Sequence, residues 1–318
     1  NNIYGVIMQN KNNKSLFGVD INEYTKNVNF AILTTKIDFL YLRSSGSGSG
    51  RFRIDRKFLE YANNARNYGI PVGAYHYALP SSDLSTADSQ CDDFIEILQI
   101  GFGQKDYGDL FPTLDVEAPV EKTISTKVLV EWIERFKNRF EKKTRRKLML
   151  YTGAFFIDLY DNFFVQGRGY PLKSMPLWIA MYTNIPGNPP YPKNQGGWTR
   201  WRIWQFSENL RIQGIDSLVD ANWGPDNLSL LTQPENVTGF NVNNVEGNKI
   251  KLTWNKVKSS DLLGYNIFVN NYYVATLEPN DTSYTLNRSN FSAKTLNITI
   301  EAFDKDGETS KTRAKVTI

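Results

Sequence analysis

Two carboxylates one residue apart, Asp115 and Glu117, lie in the stretch Phe111-Pro112-Thr113-Leu114-Asp115-Val116-Glu117-Ala118-Pro119. An apolar approach that breaks into acids just before a proline reads as a buried strand ending at a site. In a strand, residues i and i+2 share a face, so the two side chains stand together with Cα atoms about 6.5 Å apart. Like charges that close displace each other's ionisation: the less solvated carboxyl keeps its proton while its neighbour stays an anion. Glycosidic cleavage uses such an acid beside an anion. A metal site or two solvated acids at a strand end would show the same spacing, so the pair alone leaves the chemistry open.

The elements that must position these acids alternate. Strand patterns fall at residues 16–21, 39–42, 71–78, 111–117, 148–153, 177–182, 201–206 and 218–223. Helical spacing appears at Phe58, Leu59, Ala62 and Ala65, closed by Gly69, and again over residues 86–98. A third helix is expected from a cap near Ser125, with Val128, Leu129, Trp132, Ile133 and Phe136 on one face. Eight strands with interleaved helices, sparser in the second half, predict an irregular TIM-like (β/α)8 barrel, an α/β fold. Barrel enzymes carry chemistry at the C-terminal ends of their strands. Asp20, Asp115, Glu117 and Asp220 are all expected there, and four converging acids need a proton, water or ligand to compensate them.

Aromatic residues fall at or near the same strand ends: Tyr75, Tyr77, Tyr151, Tyr182, Trp178 and Trp204. Near acids, such a set favours a saccharide, whose ring faces stack on aromatic planes. Residues 44–50 read as a flexible Ser/Gly loop, since no Gly-Lys-Ser/Thr follows to make a phosphate cradle. The basic run 142–147 reads as a solvated helix end.

Composition removes other chemistries. The single histidine, His76, excludes multi-histidine metal sites and is read as a hydrogen-bonded structural residue rather than a direct catalyst. One cysteine, Cys91, allows no internal disulfide and is expected to be packed on a helix. The net charge, 37 − 33 = +4, suits an anionic polymer such as a bacterial wall and is too small to argue for nucleic acid. No apolar run is long enough to span a membrane, and the first residues lack the charged and apolar regions of an export signal. No cofactor and no metal are expected, and oligomeric state is left open.

Taken in order, these motifs resemble the glycoside hydrolase family 25 lysozymes, which are N-acetylmuramidases. The resemblance rests on Gly18-Val19-Asp20, Gly73-Ala74-Tyr75-His76-Tyr77, Leu114-Asp115-Val116-Glu117, Leu150-Tyr151-Thr152, Leu177-Trp178-Ile179-Ala180, Trp204-Gln205 and Val219-Asp220-Ala221-Asn222. It covers about residues 16–228 and implies cleavage of the β-1,4 bond between N-acetylmuramic acid and N-acetylglucosamine in bacterial peptidoglycan. It further implies Glu117 as general acid and Asp115 as the partner that orients and polarises substrate. Asp20 and Asp220 are implied to position substrate and tune these groups. The substrate-binding set implied is Tyr75, His76, Tyr77, Tyr151, Trp178, Trp204, Gln205 and Asn222. Where the family often carries a Lys-Ala-Thr-Glu-Gly-like segment, this chain has Arg43-Ser44-Ser45-Gly46-Ser47-Gly48, a departure that bears on glycan preference.

Three segments are expected: an N-terminal extension over 1–15, a poor prospect for core; a catalytic barrel over 16–231; and a module over 232–318. In the last, period-two patterning at residues 250–254, 264–269, 273–277, 296–303 and 313–318 predicts a small all-β sandwich. Its order resembles a fibronectin type III module, with Trp254 and Tyr265 as core aromatics. It is read as lacking an acidic cluster and as a spacer or attachment device. The whole is expected to act at the bacterial cell wall, as a secreted autolysin, a phage lysin or a virion component.

Overall fold

A computed structural model describes residues 6–47 and 51–318, and the chain divides into two compact units, Asn1–Leu231 and Thr232–Ile318. Residues 1–5 of the expected extension and 48–50 of the expected glycine-rich loop lie outside the described residues.

The first unit is built on strands β1 (Phe17–Ile21), β2 (Phe39–Gly46), β3 (Arg53–Ile54), β4 (Val72–Tyr77), β5 (Thr113–Asp115), β6 (Met149–Gly153), β7 (Leu177–Ala180), β8 (Ile203–Leu210) and β9 (Val219–Trp223). All but β3 form a closed barrel, because β1 pairs with β2 on one side and β9 on the other. The helices are α1 (Phe30–Leu33), α2 (Phe58–Asn67), α3 (Ser85–Phe102), α4 (Thr126–Thr144) and α5 (Ala154–Leu159). Within the barrel, neighbouring strands run parallel from β1 through β8, whereas β9 is antiparallel to both β8 and β1, and β3 pairs antiparallel with β2 outside it.

Period-two alternation sorts each strand's side chains between two cores. Phe39, Tyr41, Tyr75, Met149, Trp178 and Ile203 form the inner cluster, joined by Phe111 and Leu231. The alternate residues Leu40, Leu42, Val72, Ala74, Leu114, Leu150 and Ile179 belong to the outer cluster with the apolar stripe of α4: Leu129, Trp132, Ile133, Phe136 and Phe140. Each large apolar side chain so buried contributes about 1.5–3 kcal/mol. The hydroxyl of Ser125 accepts from the Val128 amide and starts α4 as expected, a cap of about 1 kcal/mol. Gly73 is needed because a Cβ there would stand 2.7 Å from the Tyr41 ring and 2.8 Å from Leu110.

Several expectations are corrected. Ser44, Ser45 and Gly46 are not loop: they extend β2, with Ser45 and Gly46 paired to His76 and Tyr77 on one edge and to Ile54 and Arg53 on the other. Their small size reflects close packing, since a Cβ on Gly46 would collide with the Arg43 guanidinium. The segment before β1 joins the core: Met8 is buried, its amide donates to Pro192 O at 2.7 Å, and the Trp201 indole donates to Gln9 O at 2.8 Å. In the basic run, Arg146 is buried and donates to the carbonyls of Gly108 and Leu110, while Lys143 pairs with Asp92. Cys91 is buried on α3, as expected.

The second unit is all β. A three-stranded sheet, in the order β10 (Asn241–Glu246), β11 (Lys249–Thr253), β14 (Ser283–Asn287), faces a four-stranded one. The latter runs β13 (Tyr272–Leu277), β12 (Leu262–Val269), β15 (Asn297–Asp304), β16 (Ala314–Thr317). One cluster, including Ile250, Leu252, Trp254, Tyr265, Ile267, Ile298 and Ile300, fills the space between them. The two strands missed by pattern, β10 and β14, are the edges of the smaller sheet, where few positions turn inward and polar residues dominate. The module also contains an acidic cluster after all, Asp261 with Asp304 and Asp306.

Candidate active site

The barrel mouth holds a cavity of about 190 Å³ whose polar lining gathers Asp20 from β1, Arg43 from β2, Asp115 from β5, Glu117 just beyond it, Gln205 from β8 and Asp220 from β9. Tyr75, Tyr77, Tyr151 and Trp178 also line it. All four acids expected at the site therefore meet. Asp220 arrives differently from expectation: it stands near the start of β9, not at its C-terminal end. Because β9 is reversed, its first residues reach the mouth at which the parallel strands end, and Asp220 pairs in register with Asp20.

Asp20 is buried and accepts through Oδ2 from Gln205 Nε2 and Asn222 Nδ2, each at 2.9 Å. Burial raises its carboxyl, and hydrogen bonds from Asp220, Asn222 and Gln205 oppose the rise. Asp220 is pushed up to about 10, by burial first and then by the charge and hydrogen bond of Asp20. Both carboxyls are raised, so the two titrate as a coupled pair that favours holding a proton.

The amides that hold Asp20 are themselves held. Gln205 Oε1 accepts from the hydroxyls of Tyr151 at 2.8 Å and Tyr182 at 2.7 Å, which fixes its amide so that Nε2 faces Asp20. Asn222 Oδ1 accepts from the Trp178 indole at 2.8 Å. Three aromatic donors, acting through two amides, fix the direction in which Asp20 points.

The second pair behaves otherwise. β5 ends at Asp115, so Glu117 leaves the pleat, and the side-by-side strand geometry expected of the two residues does not apply beyond it. Asp115 is buried, 4% exposed, and its Oδ1 has no hydrogen-bond partner. Burial, then the charge of Glu117, raises its carboxyl well above the usual range, while Arg43 opposes. Glu117 itself is exposed at the cleft, yet the walls around its carboxyl, and then the charge of Asp20, push it up to about 7. An exposed rim acid above a buried one provides a proton that substrate can reach.

Three residues expected to contact substrate do not line the cavity. His76 alternates with Tyr75 and Tyr77 and so faces outward, fully buried, with Ser45 Oγ 2.8 Å from Nδ1 and Gln90 Oε1 3.0 Å from Nε2. Burial depresses it to about 4, and it stacks between Phe52 and Phe136 as a neutral brace. Trp204 likewise faces out from β8 and donates to Met181 O at 2.8 Å. Asn222 is fully buried and acts on Asp20 rather than on the cavity.

Arg43 was missed as a site residue, as was Asn22. Arg43 is the cation among the described residues lining the cavity, held with Cζ 5.4 Å from the Tyr77 ring centroid. Its position four residues into an apolar strand, at even spacing with Phe39 and Tyr41 and so on their face, was the available signal.

A closed β/α barrel with a carboxylic acid raised toward neutrality above a second, buried carboxyl defines a glycoside hydrolase of the carboxylate type. The model of the glycosyl hydrolases family 25 matches residues 19–215, and the chain belongs to that family. Lysozyme M1 of Streptomyces globisporus is 28% identical over 211 residues, 64% of this chain and 66% of that protein. An N,O-diacetylmuramidase of Arthroderma benhamiae is 28% identical over 220 residues, 67% of this chain and 85% of that one. The crystal structure of the Clostridium perfringens spore cortex lytic enzyme SleM is 54% identical, with a TM-score of 0.95 over 98% of this chain and 99% of that chain.

Proposed function

We propose that the chain is a peptidoglycan hydrolase that cuts the β-1,4 bond between N-acetylmuramic acid and N-acetylglucosamine, with Glu117 as the general acid. The observation that carries this is the Glu117 carboxyl, pushed to about 7 at the open rim of the cavity. An acid poised near neutrality is protonated often enough to act and releases its proton readily. Glu117 protonates the leaving oxygen as the glycosidic bond breaks. Asp115 lies deeper, and its unpartnered Oδ1 accepts from a substrate N–H such as that of the 2-acetamido group, which orients that group toward the anomeric carbon. Asp20 and Asp220 set the field around this pair, and the Tyr75, Tyr77 and Tyr151 rings form walls for the sugar.

The muramidase and lysozyme names of the relatives support the bond, and the spore cortex enzyme makes cortex peptidoglycan the form to try first. The catalytic part is assigned to residues 16–231, and 232–318 to a fibronectin type III-like spacer or attachment module supported by its two-sheet core around Trp254 and Tyr265. The site of action is the bacterial wall. Among the described residues no helix is long and apolar enough to cross a membrane.

The test is clearance of purified walls and spore cortex by wild type and Glu117→Gln, with mass spectrometry of the released fragments. Fragments with reducing muramic acid ends, released by wild type alone, are the expected result. Reducing N-acetylglucosamine ends would overturn the bond assignment, and equal clearance by the variant would overturn Glu117.

A further inference from the structure

The acidic cluster of the second unit is assembled by strand pairing rather than by sequence proximity. Asp261 immediately precedes β12 and Asp304 ends β15, and the antiparallel register sets Leu262 opposite Asp304. The Lys305 amide donates to Asp261 O at 3.0 Å, which ties the two segments together. One ligand oxygen each from Asp261, Asp304 and Asp306 lies within 4.8 Å of the others. Asp261 and Asp304 are buried, at 2% and 1% exposure, and Asp306 is half-buried.

The loop that follows β15 reads Asp304-Lys305-Asp306-Gly307-Glu308 and is wound tightly around the first aspartate. Asp304 Oδ1 accepts from the amides of Asp306 and Glu308, both at 3.0 Å, and its carbonyl accepts from Gly307 at 3.0 Å. Gly307 sits at φ +83, a left-handed position that allows the turn. These bonds fix one carboxylate oxygen and leave the other. Asp304 Oδ2 is buried without a hydrogen-bond partner, and the negative charges of Glu308, Asp261 and Asp306 press on Asp304.

A buried carboxylate oxygen with no donor, among negative neighbours, is costly unless a cation or proton takes the place of the donor. Hard carboxylate oxygens with no nitrogen or sulfur among them select a hard cation. A loop that contributes two acids and a glycine turn, with a third acid from a neighbouring segment, suits the adaptable oxygen cage of calcium better than the strict octahedron of magnesium. We propose that Asp261, Asp304 and Asp306 bind one calcium ion, which locks the β15 loop to the segment before β12. The site is independent of the glycosidase reading and involves none of its residues.

The experiment is isothermal titration of the full chain, stripped with chelator, with calcium chloride and separately with magnesium chloride, paired with thermal unfolding at each end point. Expected are one calcium per chain, saturation by about 1 mM as in extracellular modules, and an unfolding midpoint raised by roughly 4–8 °C. Asp304→Asn should abolish both. Asp306→Asn, at a half-buried position that tolerates change, should weaken binding at least tenfold and serves where the first variant does not fold. Absence of both heat and midpoint shift in wild type would overturn the site, as would binding unchanged in Asp306→Asn. An equal response to magnesium would overturn the assignment to calcium.

Discussion

Asp20 and Asp220 stand opposite each other in register across the antiparallel seam where the first and last strands close the barrel, and burial with mutual repulsion favours a proton on the pair. Asp220 is the member pushed further up, so an amide is the natural stand-in for its protonated carboxyl. Asp220→Asn still donates to Asp20 and should keep wall-clearing activity within about tenfold of wild type. Asp220→Ala removes the donor beside a buried carboxylate, a loss of about 1–3 kcal/mol, and should cost roughly ten- to a hundredfold in rate.

Linkage gives the same proton a signature in stability. Asp220 binds its proton more tightly folded, at about 10, than at the ordinary 3.8. Between those values the native state carries the extra proton, so unfolding free energy falls as pH rises through that window. Denaturant titrations of wild type and Asp220→Asn across it should show a shallower fall in the variant.

For Glu117 the prediction concerns turnover. Loss of a general acid slows the reaction by roughly 10²–10⁴-fold, so Glu117→Gln should bind walls and clear them at that fraction of the wild-type rate. The acid works only while protonated, and its carboxyl sits at about 7. Wild-type kcat should therefore fall as pH rises through about 7, a limb that a pH–rate profile reads directly.

Arg43 opposes the rise of both Asp115 and Glu117. A close cation lowers a carboxyl by about 1–3 units. Arg43, drawn over the Tyr77 ring, acts at longer range. Arg43→Gln should move the alkaline limb of the same profile upward by about one unit or less. A limb that stays in place or moves down would remove Arg43 from the electrostatics of the cleft.

His76 should behave as a stability residue. It is neutral and stacked, depressed from 6.5 to about 4. The unfolded chain takes up a proton first as pH falls, so stability is lost between those values by at most about 1.4 kcal/mol per pH unit. His76→Ala should lower stability by roughly 2–4 kcal/mol at neutral pH and flatten that acid limb, while kcat of the folded fraction stays near wild type.

The acids were legible because each interrupts an apolar strand, and nothing apolar gains from a carboxylate there. Period-two alternation carried more than was taken from it. The run Tyr75-His76-Tyr77 puts its outer members on one face and His76 on the other, and Trp204 and Gln205 part in the same way. Motif resemblance groups such neighbours together, whereas the pleat separates them. Arg43 was obscured by the serines and glycines after it, whose composition mimics a loop while their size serves strand packing. Local pattern could not reveal the reversal of β9, because a strand reads the same in either direction. Nor could it reveal Asp261 beside Asp304, which only the pairing of β12 with β15 brings together.

The reversed last strand makes the complete cleft depend on both ends of the barrel sequence. Asp20 belongs to the first strand, while its proton partner Asp220 and its amide Asn222 come about two hundred residues later, with Asn222 bonded to Asp20 at a separation of 202. A chain still emerging from the ribosome, or clipped before β9, has Asp115 and Glu117 but lacks the seam that organises the field around them. The full set of acids and the amide that steadies Asp20 is thereby assembled only when the last strand closes the barrel.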